Sequence, residues 1–281
     1  MKVTMLIEDE PSKDVINLAN EMGLSMHFQF NDKNILFDAG LTEAFIDNAR
    51  KMGINLKNDD FIVISHGHIS HAGGLLKYLR SNEKAEIVIS ESAVQKHYIK
   101  ICRNEIDISV PSEITSRCGN RIRYLNDFTE ITKDVFIASN FIKKYPWVRF
   151  NQYMFTEKYG SFIRDDFKHE LIMVINNAGK LVIVTGCSHN GITNIIESVK
   201  LKFPDTPIQA VIGGFHISGI PGGNVFRESE QSVRKLGQTL LSYNIDKVYT
   251  CHCTGMLQYN ILKKVMKDKI EYFSTGREIE L

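Results

Sequence analysis

Three absences narrow what this 281-residue chain can be. It has no excess of either charge: 34 Lys and Arg stand against 33 Asp and Glu, a formal net charge of +1. A general nucleic-acid binder shows a strong basic excess, so no nucleic-acid partner is expected, although a local basic pocket for one phosphorylated ligand is allowed. It has no uninterrupted apolar run of the ~20 residues that a membrane-spanning helix needs, so no membrane partner is expected either. It has too few cysteines, and an odd number, for a disulfide framework: five in a chain of this size. The N-terminus Met1-Lys2-Val3-Thr4-Met5-Leu6-Ile7-Glu8-Asp9 is too short and too soon acidic for a signal peptide. A reduced, cytoplasmic protein is the expectation.

No low-complexity segment, linker or short-period repeat breaks the chain. With 43% hydrophobic residues it can bury a substantial core, and a single domain over 1–281 is expected. Strand and helix patterns alternate throughout. Strands are predicted at Lys2–Ile7, Met26–Phe30, Asn34–Asp38, Phe61–Ile64 and Glu86–Ile89. A helix over Thr42–Met52 has Thr42 as its cap and Gly53 as its stop, and another starts near His71. Residues 102–134 read as less regular. An apolar hairpin, Glu170–Asn176 with Lys180–Thr185, turns at Asn177-Ala178-Gly179. Helices at Asn190–Phe203, Arg227–Tyr243 and Met256–Met266 then alternate with strands at Ile208–Ile212, Lys247–Thr250 and, last, Ile270–Phe273. Sheets covered on their outer faces by helices fit this alternation.

What is present in quantity is histidine at strand ends. Ser65-His66-Gly67-His68-Ile69-Ser70-His71-Ala72-Gly73-Gly74 follows the apolar run Phe61–Ile64 and places three imidazoles within six positions. Neutral imidazole is the commonest metal ligand, suited to zinc, iron, nickel or copper more than to calcium or magnesium. Other strands end in the same way: Phe37-Asp38-Ala39-Gly40, Thr185-Gly186-Cys187-Ser188-His189, Gly213-Gly214-Phe215-His216 and Cys251-His252-Cys253-Thr254-Gly255. In α/β folds such converging strand ends carry the ligand site.

These motifs, in this order, resemble the metallo-β-lactamase superfamily. The forms at 185–189, 213–216 and 252–255 are similar to its branch of dihydropterin ribofuranosylaminobenzene 5′-phosphate synthase-like hydrolases, over about residues 5 to 275. The resemblance implies an α/β fold, an αββα sandwich whose two mixed β-sheets are covered by helices on both outer faces. It implies zinc, one or two ions, with iron or manganese as alternatives. His66, His68 and His189 match the ligands of the principal ion. His71 and His252 match ligands of a second, or act as hydrogen-bond and proton-transfer groups. Asp38 matches the buried aspartate that holds the ligand loops; on its own it also reads as a turn cap before Gly40.

One position departs from the pattern His-x-His-x-Asp-His: the aspartate is Ser70. A neutral hydroxyl is a poor ligand, so the second ion loses an anionic donor, and Ser70 retains only a role in orienting water. If residues 251–253 stay extended, side chains alternate, so His252 faces inward while Cys251 and Cys253 pack. Cys187 shares a face with His189 and is a candidate soft donor in place of the missing carboxylate.

Other positions stay open between two readings. Arg149, after Tyr145-Pro146-Trp147-Val148, either grips a phosphate through its fork of donors or lies at the surface beside an aromatic. His216 either lines the substrate pocket or packs in the core. Thr254, in the last motif, joins Arg149 and His216 as substrate-binding. His97 reads as a helix-surface histidine, and His27 and His169 have no partner motif. The function expected is hydrolysis of a small phosphorylated or cyclic ester by a metal-bound hydroxide, since a metal lowers the pKa of water from 15.7 towards roughly 7. The alternative is a metal- or ligand-binding module with weak or no catalysis, which Ser70 favours. A di-iron redox site is a third reading, weaker because it wants carboxylates. A small-molecule substrate is the partner expected, and a homo-oligomer is allowed for.

Overall fold

The computed structural model describes residues 1–12, 15–158, 160–219 and 227–281. The architecture is the mixed α/β one expected, and the chain divides into two compact units. Unit 1 comprises Met1–Asn126, Tyr153–Leu171 and Ser274–Leu281; unit 2 comprises Asp127–Gln152 and Ile172–Phe273. No helix among the described residues is long and apolar enough to cross a membrane.

Unit 1 is built on a seven-stranded mixed sheet. In spatial order the strands are Glu278–Glu280, Lys2–Ile7, Ser25–Phe30, Lys33–Phe37, Phe61–Val63, Glu86–Ile89 and Ile122–Tyr124. The first four pair antiparallel and the last four parallel. Helix Ala44–Lys51 buries Phe45, Asn48 and Ala49, the i, i+3, i+4 face. Phe45 packs with Leu6, Leu36, Ile62 and Tyr78, and burying a side chain of that size stabilises by about 1.5–3 kcal/mol. Asn48 is fully satisfied: its Nδ2 donates to the Leu6 and Ala19 carbonyls at 2.8 Å each, and its Oδ1 accepts the Ala19 N–H at 2.9 Å. The helix thereby stays fixed to the first strand. A four-stranded antiparallel sheet, Ser161–Arg164, Met154–Lys158, His97–Ile101 and Asn104–Asp107, completes the unit.

Unit 2 carries a seven-stranded sheet in the order Ile270–Tyr272, Lys247–Thr250, Ile208–Gly213, Lys180–Val184, Ile172–Asn177, Val135–Ala138 and Thr129–Thr132. Its first four strands are parallel, linked by helices Ile192–Lys202, Glu230–Ser242 and Met256–Met266. Ile172, Val174, Leu181, Ile183, Val211 and Val248 pack on one face with Ile195, Leu240 and Leu262. Met173, Ile175, Val182, Val184 and Ile212 on the alternate positions are also fully buried, which is why these strands read as continuous apolar runs.

Several expectations are corrected. Thr42 is not the cap residue of the first helix; Glu43 is, while Thr42 Oγ1 accepts the Ala44 N–H at 3.2 Å. The helix near His71 is two pieces, Ile69–Ala72 and Leu75–Ser81. At the break a Cβ on Gly73 would stand 2.0 Å from the Leu41 carbonyl oxygen, so only glycine fits. Residues 102–134 hold the short elements Asn104–Asp107, Glu113–Cys118, Ile122–Tyr124 and Thr129–Thr132, whose brevity leaves no readable period. The chain does not end its strands at Ile270–Tyr272: Glu278–Glu280 returns to pair with Lys2–Thr4. His97 lies on a strand and is buried, not on a helix surface.

Candidate metal centre

In unit 1 the strand Phe61–Val63 runs out through Ile64-Ser65-His66-Gly67-His68 into helix Ile69–Ala72. His66, His68 and His71 are all buried, with ring centroids 4.5 Å apart for His66 and His68 and 4.1 Å for His66 and His71. The hydrogen bonds fix which nitrogen each presents. Asp38, buried at the end of Lys33–Phe37, accepts the Ser65 N–H at Oδ1 (2.7 Å) and the Ser65 hydroxyl at Oδ2 (2.7 Å). That hydroxyl has spent its hydrogen on Asp38, so towards His66 Nδ1, 2.8 Å away, it accepts. His71 Nδ1 donates to the same Asp38 Oδ2 at 2.6 Å. Both rings therefore carry hydrogen on Nδ1 and a lone pair on Nε2, the arrangement of a metal-ligating histidine held by an outer carboxylate. Ser65, which has no motif of its own, is the relay that lets one carboxylate orient two rings.

Beside His68 lies a group that sequence reasoning passed over. His97 Nδ1 and His169 Nε2 stand 2.9 and 3.0 Å from Asp165 Oδ2. By donor count, His68, His97, Asp165 and His169 resemble a metal site, their candidate atoms all lying within 4.8 Å of one another. Their hydrogen bonds argue otherwise. The Gly67 N–H donates to His169 Nδ1 at 3.0 Å, so His169 Nε2 carries the hydrogen that Asp165 accepts. His97 Nε2 faces the Ser92 carbonyl at 3.2 Å, which only accepts. His97, Asp165 and His169 thus form a closed hydrogen-bonded chain that holds the turn at Gly67. Burial pushes the Asp165 carboxyl up, but the two histidines outweigh it and hold it far below the carboxylate range. Burial holds His169 below the usual imidazole range, against the pull of Asp165. Burial, reinforced by the neighbouring His169 and His97, holds His68 well below that range too.

In unit 2 three parallel strands end at the other motifs. Cys187, His189, His216, His252 and Cys253 are all buried. Asn151 fixes His189: its Nδ2 donates to the His189 carbonyl at 2.7 Å, so its Oδ1 faces His189 Nδ1 at 3.1 Å and receives that hydrogen. Nε2 again carries the lone pair. His216 is 7% exposed, and neither of its ring nitrogens has a hydrogen-bond partner among the described residues. A histidine that merely packs in a core is normally hydrogen-bonded, so this ring is a candidate ligand. Donor atoms of Cys187, His252 and Cys253 lie within 4.8 Å of one another, as do those of Cys187, His189 and His216.

The extended geometry expected at 251–253 is not found. His252–Thr254 is a 3₁₀ turn and His252 has φ +47°, so His252 and Cys253 approach one point rather than opposite faces. Burial pushes the Cys253 thiol up, but polar groups of Cys187, His216 and His252 bring it well below the usual thiol range. Asp38, Ser188 and His216 share the left-handed backbone, at φ +62°, +58° and +51°. Strain of roughly 1–3 kcal/mol per residue is characteristic of such functional turns. Thr254 is fully buried and its hydroxyl is committed: it accepts the Phe215 N–H at 3.0 Å and donates to Thr250 Oγ1 at 2.6 Å, since Thr250 gives its own hydrogen to the Gly213 carbonyl. Arg149 is exposed at the start of the turn Arg149–Tyr153, its backbone N–H donating to Glu228 Oε1 at 2.8 Å. A cavity of about 290 Å³ opens nearby in the same unit, lined among others by Tyr145, Trp147, Gly191, Phe215, Glu228 and Lys235.

The sequence model of the metallo-beta-lactamase superfamily matches residues 21–201, which include Asp38, the three clustered histidines and His189. The chain belongs to the metallo-β-lactamase superfamily. It is 26% identical over 263 residues to a 7,8-dihydropterin-6-methyl-4-(beta-D-ribofuranosyl)-aminobenzene-5'-phosphate synthase of Methanocaldococcus jannaschii, covering 88% of this chain and 84% of that protein. The crystal structure of Tm1679, a metal-dependent hydrolase of the beta-lactamase superfamily, superposes with a TM-score of 0.82 at 26% identity, covering 100% of this chain and 99% of the other. Zn(2+)-bound PqqB from Methylobacterium extorquens shares the fold alone, at a TM-score of 0.60 and 10% identity, with 100% of each chain covered. Metallo-β-lactamase membership implies divalent metal ions, the clustered donors of unit 2 fit such an ion, and Ser70 is half-buried where the family has its aspartate.

Proposed function

We propose that this chain is a metal-dependent hydrolase that cleaves a small phosphorylated or cyclic ester. The observation that carries the reading is the anchoring of His66, His71 and His189 through Nδ1, which leaves Nε2 of each as the lone-pair nitrogen. A metal-ligating histidine almost always carries such an outer hydrogen bond, which fixes its tautomer and the orientation of its ring. By the family's motif order, His66, His68 and His189 hold the principal ion, and His71 and His252 the second. Imidazole and thiol donors suit zinc, one or two per chain, with iron or manganese as the alternatives. When bound, such an ion brings the pKa of water to about 7 and polarises a phosphoryl or acyl oxygen.

The protein's own residues supply position and binding. Asp38 and Ser65 prevent rotation of His66 and His71, and Asn151 does the same for His189. The aromatic-walled cavity takes the organic part of the substrate, and Arg149, on the segment bordering it, takes a phosphate. The phosphate-bearing compound in the name of the archaeal synthase supports a phosphorylated substrate. Five cysteines, none in a disulfide and four of them buried, support a reduced cytoplasmic setting.

Ser70 favours a second reading, a metal- or ligand-binding module without efficient turnover. The two separate in one experiment: metal content by elemental mass spectrometry on protein purified without chelator, with a panel of phosphodiesters and phosphomonoesters, on wild type and His66→Ala. The hydrolase reading expects metal and turnover, with turnover lost and metal content lowered together in His66→Ala. Metal without turnover on any ester selects the binding module. An absence of metal in wild type overturns both.

A further inference from the structure

We propose that Cys187 and Cys253, with His252 and His216, make unit 2 a thiolate-containing cation site, with Cys187 as the donor common to two triads, for a soft or borderline cation of the zinc or cadmium class. The family's motif order uses His189 and His252 in unit 2 but assigns nothing to Cys253 or His216. Yet Cys187, His252 and Cys253 bring their donor atoms within 4.8 Å of one another, and Cys187, His189 and His216 do the same. Every one of these side chains is buried, from 0% to 8% exposed.

Three observations point to a cation rather than to packing. His216 is more than nine-tenths buried, and both of its ring nitrogens lack a hydrogen-bond partner among the described residues. A buried imidazole in that state is deprived of water without compensation, and a cation compensates it directly. Next, the Cys253 Sγ accepts the backbone N–H of His216 at 3.2 Å, which fixes the sulfur beside the His216 turn. Last, the backbone is arranged around the sulfur. A Cβ on Gly214 would stand 2.5 Å from Cys253 Sγ, so a side chain there would displace the thiol. The positive φ of His252 turns that ring and the following thiol to one point, which an extended strand cannot do.

Two thiols set the selectivity. Thiolate is a soft donor that prefers zinc, cadmium or copper(I) to magnesium or manganese. The proposal goes beyond the hydrolase reading and shares only His189 and His252 with it.

The test is cobalt(II) titration of chelator-stripped, reduced protein, followed by the sulfur-to-cobalt charge-transfer absorption in the near ultraviolet. Wild type should show the absorption of two thiolates. Cys253→Ser should leave that of one, Cys187→Ser should weaken both binding and band, and His216→Ala should bind more weakly. Cys253→Ala, checked by circular dichroism alongside Cys253→Ser, separates loss of a ligand from loss of fold. His66→Ala, in unit 1, should retain the band even though it loses any ester turnover. Cobalt bound without the band, a band unchanged in Cys253→Ser when that variant is folded, or a band lost in folded His66→Ala overturns the proposal. The first of these leaves the hydrolase reading standing, because imidazole ligation alone satisfies it.

Discussion

Ser65 stands between Asp38 and His66 as a one-way relay: its hydroxyl donates to Asp38 Oδ2 at 2.7 Å and faces His66 Nδ1 at 2.8 Å as an acceptor. One buried carboxylate thereby orients His66 through Ser65 and His71 directly. Removing an outer partner of a ligating histidine typically costs about 10- to 100-fold in metal affinity. Asp38→Asn should lose affinity in that range, because an amide gives a donor where two acceptors are needed. Ser65→Ala should lose less, since the His71 bond survives. Competition with a chromophoric chelator measures both; equal affinities for the two variants and wild type would show that orientation is not the role of this carboxylate.

Asn151 is the corresponding support for His189, and its two bonds are separable. Asn151→Asp keeps an acceptor for His189 Nδ1 and loses the donor to the His189 carbonyl. Asn151→Leu loses both. The expected order of metal affinity is wild type, then Asp, then Leu, with the Leu variant about 10-fold or more below wild type. If Asp falls as far as Leu, the amide acts through the backbone carbonyl and not through the ring.

The strand-end motifs were legible in the sequence because each is local: a buried apolar run followed at once by His, Cys or Asp. The supports were not, because their partners are distant in the chain. Asp38 and Ser65 are separated by 27 positions, Asn151 and His189 by 38, and His97 and Asp165 by 68. Nothing near His97 marks it as buried, since its strand pairs across the chain with Met154–Thr156. The same limit explains the error at Cys253. Alternation along an extended strand is a fair inference from sequence, and a left-handed histidine at 252 breaks it three residues before Gly255, the glycine that ends the turn. The resemblance to the superfamily carried the fold, because it rests on the order of motifs along the chain and not on contacts.

The metal-free protein should be sensitive to mild acid. His68 and His169 are held below the ordinary imidazole range chiefly by burial. Their pKa is therefore higher unfolded than folded, and the unfolded chain binds more protons as pH falls below about 6.5. Stability present above that value is lost on going down in pH. Asp165 acts in the same direction lower down: its carboxyl is depressed in the folded state, so its contribution, full above its unfolded pKa of about 3.9, is lost as pH falls below that value. Urea midpoints of chelator-treated protein at pH 7.5 and pH 5.5 are the measurement, and a decrease is expected. His169→Phe should flatten the dependence between these values while lowering the midpoint at both. It removes one titrating group and leaves the Gly67 N–H unpaired, a cost of about 1–3 kcal/mol. A wild-type midpoint that does not fall towards pH 5.5 would falsify the assignment of a neutral His68.

Ser70 is the position where the chain departs from its family, and its surroundings make the departure reversible. It lies in helix Ile69–Ala72 and is half-buried, and its backbone is held independently of its side chain: the Ser70 carbonyl accepts the Leu24 N–H at 3.1 Å. Changing the hydroxyl to a carboxylate therefore alters charge without loosening the turn. An extra carboxylate near two or more imidazoles is a harder, anionic donor and raises affinity for a divalent ion. Ser70→Asp should raise metal content per chain and increase any phosphodiester turnover. The two readouts distinguish what the serine does. If metal content rises but turnover does not, the second ion was never the limit on catalysis. If neither moves, the aspartate position is not what limits this protein.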